Sequence, residues 1–276
     1  MDQVEPNVIA DRIRQAFEAG EFRLYYQPQH DAMSHRILGA EALLRWHDPT
    51  RGLVAPSGFL QVLEATGLII PVGEWAFRQA AEDCRRWQGL GLPRLKMGLN
   101  VSPSQLTAPG TEILLPRVRE MRAFCDLQIE VDGEHLASPT EGIVAALHTL
   151  RFAGADISVQ HFGLDDYTHK RVWALPVDAL KIDRSFVGRM IEDPAVDEEL
   201  AGMLMLARAY RLVSVAEGVE TQEQCDRLRE LNCDLTQGYL HAPPMPADRF
   251  EWLLRAECYV RPDPEPHARR RLGYDA

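Results

Sequence analysis

Short apolar runs of strand length alternate along this chain with longer stretches whose apolar positions recur every three or four residues. The opening stretch, Pro6–Ala19, carries Val8, Ile9, Ile13, Ala16 and Phe17 at the spacing of an amphipathic helix. Eight β-like runs follow. They are FRLYYQP (Phe22–Pro28), ILGAEALLRW (Ile37–Trp46), LKMGLNVS (Leu95–Ser102), LQIEVD (Leu127–Asp132), ADISVQHF (Ala155–Phe162), DALKID (Asp178–Asp183), LVSVAEGV (Leu212–Val219) and DLTQGYL (Asp234–Leu240). Helical periodicity fills most of the gaps, over Phe59–Gly67, Glu74–Gln88, Ile113–Phe124, Glu141–Phe152, Glu198–Tyr210 and Gln222–Leu231. Strands alternating with helices predict an α/β fold with a largely parallel sheet, and eight such units predict a TIM-like (β/α)8 barrel. The stretch between the first two runs is too short for a crossover helix, so those two are expected to form an antiparallel hairpin and the barrel to contain one reversed strand. We expect a single barrel domain over residues 1–260 and a flexible tail over 261–276, RPDPEPHARRRLGYDA, whose Arg269–Arg271 run is read as a solvated surface feature.

A buried parallel strand should be almost wholly apolar, yet these runs end in polar groups: Glu41, Asn100, Glu130, Gln160 with His161, Lys181, Glu217 and Gln237. In an α/β barrel the C-terminal ends of the strands form the rim where ligands and catalytic groups collect. One polar strand end is explained by a helix cap or an ion pair. Seven together point to a site. Three carboxylates and an Asn carbonyl on one rim suit a hard divalent cation, which takes oxygen ligands, and Lys181 would compensate those carboxylates or orient a water.

Charge and cysteine content narrow the picture. The formal net charge of −11 argues against non-specific nucleic-acid binding, while leaving room for a small anionic ligand held by a local basic residue. No apolar run approaches the roughly 20 residues that span a bilayer, and the N-terminus, MDQVEPNVIADRIRQ, lacks the apolar segment of a secretory signal. Cys84, Cys125, Cys225, Cys233 and Cys258 are odd in number and scattered, with no CxxC pair, so reduced thiols in a cytoplasmic setting are expected and zinc spacing is absent. The start just ahead of the first helix reads as a domain cut from a longer chain.

The polar strand ends fall within motifs that resemble the EAL family of cyclic di-GMP phosphodiesterases, over roughly Phe22 to Leu254. The motifs are EALLRW (Glu41–Trp46), PSGFLQVLEATGLI, NVS (Asn100–Ser102), LKIDRSFV (Leu180–Val187), VAEGVE (Val215–Glu220) and QGYLHAPPMP (Gln237–Pro246), all in order. In active members two divalent cations polarise the phosphodiester and lower the pKa of a bridging water. By this resemblance the metal ligands correspond to Glu41, Asn100, Glu130 and Glu217, with Gln237 nearby, and Lys181 to the residue that holds the nucleophilic water. The resemblance assigns a phosphate grip to Arg45. It places Gln27, Leu44, Pro56, Phe59, Glu220, Gly238 and Tyr239 around the ligand, with the Tyr239 ring facing a base.

The pattern breaks after the fifth strand. Active members carry DDFGTGYS there, whereas this chain reads QHFGLDDY (Gln160–Tyr167). Gln160 and His161 replace the two metal-binding aspartates, and Asp165 and Asp166 come five residues too late to substitute in register. The family's second Glu, three residues after the metal-binding one, is Gly133 here, with Glu134 one residue late. An amide or imidazole replaces a carboxylate poorly for Mg²⁺, and loss of a single catalytic electrostatic contact commonly costs about 10²–10³ in rate. The expected protein is therefore a catalytically inactive EAL domain of the receptor type, similar to the type IV pilus regulator FimX, with Lys181 and Glu217 as catalytic remnants. No cofactor is required for binding. The resemblance implies bacterial second-messenger signalling in motility and biofilm control, with relay to a protein partner such as a PilZ-type adaptor. The alternative is a weak Mg²⁺- or Mn²⁺-dependent phosphodiesterase producing pGpG, in which His161, or Asp165 with Asp166, supplies substitute ligands. His161 itself is expected to be a hydrogen-bonded, neutral side chain. Asp178 and Asp183 are read as structural groups.

Overall fold

The computed structural model describes residues 6–163 and 172–260. Strands β1 (Phe22–Asp31), β2 (Ile37–Asp48), β4 (Lys96–Asn100), β5 (Asp126–Asp132), β6 (Asp156–Phe162), β7 (Ala179–Ile182), β8 (Val213–Glu217) and β9 (Leu235–Gln237) pair in that order and close on themselves through β1–β9 and β1–β2. Two short strands, β3 (Gly52–Val54) and β10 (Met245–Pro246), add to β2 and β1. All barrel pairings are parallel except those of β1, which runs antiparallel to β2 and to β9. The reversed strand expected from the short first connection is β1.

Helices α1 (Pro6–Glu18), α2 (Leu60–Ala65), α3 (Ile69–Gly89), α4 (Ala108–Met121), α5 (Gly133–Leu136), α6 (Glu141–Phe152), α7 (Arg184–Arg189), α8 (Pro194–Ala209), α9 (Gln222–Glu230) and α10 (Ala247–Val260) surround the barrel. Several begin earlier than their apolar periodicity predicts. Thr107 and Asp193 cap the first turns of α4 and α8, and each helix has Pro in that turn, where a missing N–H costs nothing. The single-turn helices α5 and α7, and the C-terminal α10, are not anticipated by that reading; Asp132 and Asp183 cap α5 and α7. Asp178 takes a bidentate ion pair from Arg151 and the N–H of Ile157, so both flanking aspartates of β7 are structural. No described helix is long and apolar enough to cross a membrane, and the tail 261–276 lies outside the described residues.

The main core lies between the strands' outer faces and the helices, where Met97, Ile129, Ile157, Leu147 and Phe250 are fully buried. A satellite core under α1 joins Ile13, Ala16, Phe22, Trp46 and Phe59. No disulfide forms among the described residues, and Cys84, Cys125, Cys225 and Cys233 are buried. The barrel's inner face is different in kind. It carries Gln29, Gln128, Ser158, Glu130 and Lys181, all buried, so the interior below the rim is polar. Gly98 makes room there, since a Cβ at this position would stand 2.1 Å from Glu130 Oε1.

Candidate functional site

Side chains alternate across a strand with a period of two, and this periodicity sends Glu41, Glu130, Lys181, Glu217 and Gln237 into the same mouth. Lys181 is fully buried at its centre. Its Nζ donates to Glu41 Oε2 at 2.7 Å, to Glu130 Oε2 at 2.7 Å and forms an ion pair with Glu217 Oε1 at 2.8 Å. Three amides donate to these carboxylates. Asn100 Nδ2 donates to Glu41 Oε1 at 2.9 Å, and Gln237 Nε2 donates to Glu41 Oε2 at 2.8 Å and to Gln27 Oε1 at 3.1 Å. Gln29 Nε2 in turn donates to Gln237 Oε1 at 2.9 Å. The third is Gln160, whose Nε2 donates to Glu130 Oε2 at 2.5 Å.

These contacts set the charge state. Burial pushes the Lys181 ammonium down, but the three carboxylates around it outweigh that and hold its pKa well above the usual value. Burial likewise raises Glu41, yet Lys181 and the hydrogen bonds from Asn100 and Gln237 bring its carboxyl below the ordinary range. Glu130 goes the other way. Burial and the neighbouring Glu41 charge overcome Lys181, and its pKa is pushed up to about 8. Its Oε1 is buried with no hydrogen-bond partner.

Among the described residues, the donors that β6 brings to the mouth do not suit a divalent cation. At Gln160 the strand presents an N–H donor to Glu130 where a cation needs an oxygen acceptor. His161, at a register shift in β6 and with a left-handed backbone (φ 53°), pairs through Nδ1 with Asp132 Oδ2 at 2.8 Å. Among the described residues no three His, Cys, Asp or Glu side chains are arranged to hold a metal, since the carboxylates converge on Lys181. Asp165 and Asp166 lie outside the described residues.

His161 is hydrogen-bonded, and its partner Asp132 favours the charged form of the ring. The bond from Asp132 raises the imidazole pKa above 6.5 despite partial burial, and the same contact lowers Asp132. The ion pair is present above the carboxylate's ordinary range and is lost as pH rises through the raised imidazole value. We expect the His161 ring to titrate in NMR above 6.5, and Asp132→Asn to return it toward that value; an unshifted wild-type midpoint would contradict the contact. As a half-exposed pair it contributes about 0.2–1 kcal/mol.

Around the mouth, Arg45 is half-buried on β2, its Nη1 donating to the Leu44 carbonyl at 2.8 Å. Tyr239 is 68 % exposed and follows Gly238, where a Cβ would stand 2.1 Å from the Val219 carbonyl oxygen; only glycine lets the β9 turn pack on the β8 loop. Gln27 Nε2 ties β1 to the Ala242 carbonyl in that turn. Glu220 is exposed beside it, and Pro56 and Leu44 are partly exposed. Phe59 departs from the group: its ring is 1 % exposed and packs edge-on against Phe22 in the satellite core. Motif reading passed over Gln29, Tyr25 and Asp132. The alternation of Tyr25, Gln27 and Gln29 along β1 was the available signal for the first two, a polar face where a packed strand would be apolar.

A closed α/β barrel with acids, amides and one lysine on its C-terminal rim defines the class, and the comparisons define the family. The EAL domain model matches residues 10–244, and the chain belongs to the EAL domain family. It is 35 % identical over 254 residues to the cyclic di-GMP phosphodiesterase NbdA of Pseudomonas aeruginosa, covering 89 % of this chain and 32 % of NbdA. The chain spans about a third of that relative's length. The PaMucR phosphodiesterase in complex with c-di-GMP superimposes with a TM-score of 0.81 at 32 % identity, covering 88 % of this chain and 99 % of that one. The FimX EAL domain of P. aeruginosa bound to c-di-GMP shares the fold (TM-score 0.75, 22 % identity, 86 % and 96 % covered).

Proposed function

We propose that this barrel is a cyclic di-GMP receptor that binds the dinucleotide without divalent metal, does not hydrolyse it, and relays the bound state to a protein partner. The observation that carries this reading is the Gln160 amide donating to Glu130, which puts an N–H donor where a metal site needs an oxygen ligand and occupies a carboxylate that metal chemistry would use. Lys181 already satisfies Glu41, Glu130 and Glu217, so the rim carries its own cation. Binding draws on other groups. Arg45 suits a phosphate, since guanidinium N–H groups are matched to its oxygens. The exposed Tyr239 ring offers a base a stacking face, worth about 1–3 kcal/mol per base in nucleic-acid sites. Gln27, Glu220 and Gly238 border the same mouth, and both NbdA and the PaMucR complex belong to cyclic di-GMP biology by their own descriptions.

The second reading is a weak phosphodiesterase, and one observation favours it. Glu41, Asn100, Glu130 and Glu217 are all retained, and Glu130 Oε1 is buried without a partner over Gly98. Calorimetry separates the two. We expect cyclic di-GMP to bind the chain in EDTA with an affinity unchanged by Mg²⁺ or Mn²⁺, and the nucleotide to be recovered intact. Appearance of pGpG on adding metal would overturn the receptor reading, and absence of binding in EDTA would overturn its metal independence.

A further inference from the structure

We propose that Tyr25, which lies outside every motif position, is a positioning residue that holds the Arg45 guanidinium over the mouth of the barrel. The inference rests on the reading of Arg45 as a phosphate grip.

The inward face of β1 descends from the rim into the barrel. Arg23 is exposed, Tyr25 half-buried, Gln27 8 % exposed and Gln29 fully buried. Tyr25 is therefore the last inward side chain of β1 before solvent. In the antiparallel β1–β2 ladder Tyr25 stands opposite Leu43 and Arg23 opposite Arg45. Tyr25 and Arg45 are then diagonal neighbours on one face, a separation that long and aromatic side chains bridge. The guanidinium Cζ lies 6.0 Å from the Tyr25 ring centroid, at the outer limit of a cation–π contact.

A second contact fixes the ring. The Tyr25 hydroxyl pairs with His47 Nε2 at 3.2 Å, and the two rings are 5.8 Å apart. His47 is two residues beyond Arg45 on the same face of β2, so Tyr25 reaches from opposite Leu43 past Arg45 to His47, lying alongside the arginine. Arg23, which would repel Arg45 from directly across the ladder, is turned away, its Nη1 donating to the backbone carbonyls of Gly20 and Phe22. Arg45 Nη1 donates to its own neighbour's carbonyl, a contact that uses one of the five N–H groups a guanidinium carries.

A free arginine loses much rotamer entropy when it clamps a ligand, and a side chain already held in its bound geometry loses less. Tyr25 supplies that hold without charge of its own.

The test is a double-mutant cycle on the purified chain, with cyclic di-GMP affinity by calorimetry and folding checked by thermal melting. Tyr25→Ala should weaken binding about 3–10-fold, and Tyr25→Phe, which keeps the ring and loses only the His47 contact, should restore most of it. In an Arg45→Ala background, Tyr25→Ala should have no further effect. Additive losses would overturn the positioning role, because Tyr25 would then act on the ligand or the fold directly. If Arg45→Ala alone leaves affinity unchanged, the phosphate-grip reading fails and takes the Tyr25 role with it. If Arg45→Ala weakens binding but Tyr25→Ala does not, only the positioning role is lost.

Discussion

Replacing Lys181 by methionine will destabilise the fold by about 3–5 kcal/mol, the range for removing one partner of a buried ion pair. Three carboxylates share this one ammonium, at 2.7, 2.7 and 2.8 Å, and Lys181 and Glu130 have no side-chain exposure. Methionine fills the volume but leaves Glu41 and Glu130 facing each other without a cation. The measurement is urea unfolding of the wild type and variant, and its pH dependence is diagnostic. In the folded protein Glu130 keeps its proton to about 8, against an ordinary value of 4.5. The folded chain therefore binds more protons than the unfolded one in that interval, and this group's contribution to stability falls as pH rises from 4.5 through 8. In Lys181→Met the fall should be steeper, because the ammonium that opposed the shift is gone. A variant as stable as wild type at pH 8 would mean that the cluster is wetter than its burial implies.

The second large effect is a gain. Changing Gln160 and His161 together to aspartate removes the amide that donates to Glu130 and puts a fourth acid against it. Without metal that variant should melt below the wild type, most clearly at alkaline pH. With Mn²⁺ it should be rescued: a cation that binds only the folded state at 100 times its dissociation constant adds about 2.7 kcal/mol, or roughly 5–10 °C in melting temperature for a domain of this size. The wild-type melting temperature should not respond to Mn²⁺. A wild type that shifts as much as the variant would show that Glu41, Asn100, Glu130 and Glu217 still bind a cation despite Gln160, and would favour the phosphodiesterase reading.

The barrel was legible because its strands and helices differ in period, and the reversed β1 because the connection to β2 is too short for a crossover. The rim was legible because Glu41, Glu130, Lys181 and Glu217 stand where parallel strands should be apolar. What escaped has identifiable causes. The pairing of His161 with Asp132 stands at a register shift and a left-handed residue in β6, neither of which leaves a trace in hydrophobic patterning. The inward turn of Phe59 follows from the satellite core under α1, whose members Ile13, Phe22, Trp46 and Phe59 come from four segments. Helix α10 escaped because, among its residues of described burial, only Phe250 and Leu254 are buried, too few for a clear period. Position along the sequence placed Phe59 and Tyr239 in the candidate motifs alike; only their side-chain directions separate them.

The reversal of β1 has a kinetic consequence. The strand that begins the barrel can be sealed only by the one that completes it, and the amides joining them, Gln27 and Gln29 to Gln237, are separated by 210 and 208 residues. Contacts of such long sequence separation form late and slowly, after the loop entropy between them has been lost. During synthesis β1 and β2 emerge early and can pair as a hairpin, but Glu41 meets Gln237 only once nearly the whole domain has left the ribosome. The rim is therefore the last part of the molecule to exist, and a nascent chain completes the Lys181 cluster in the same step in which it loses its open sheet edge.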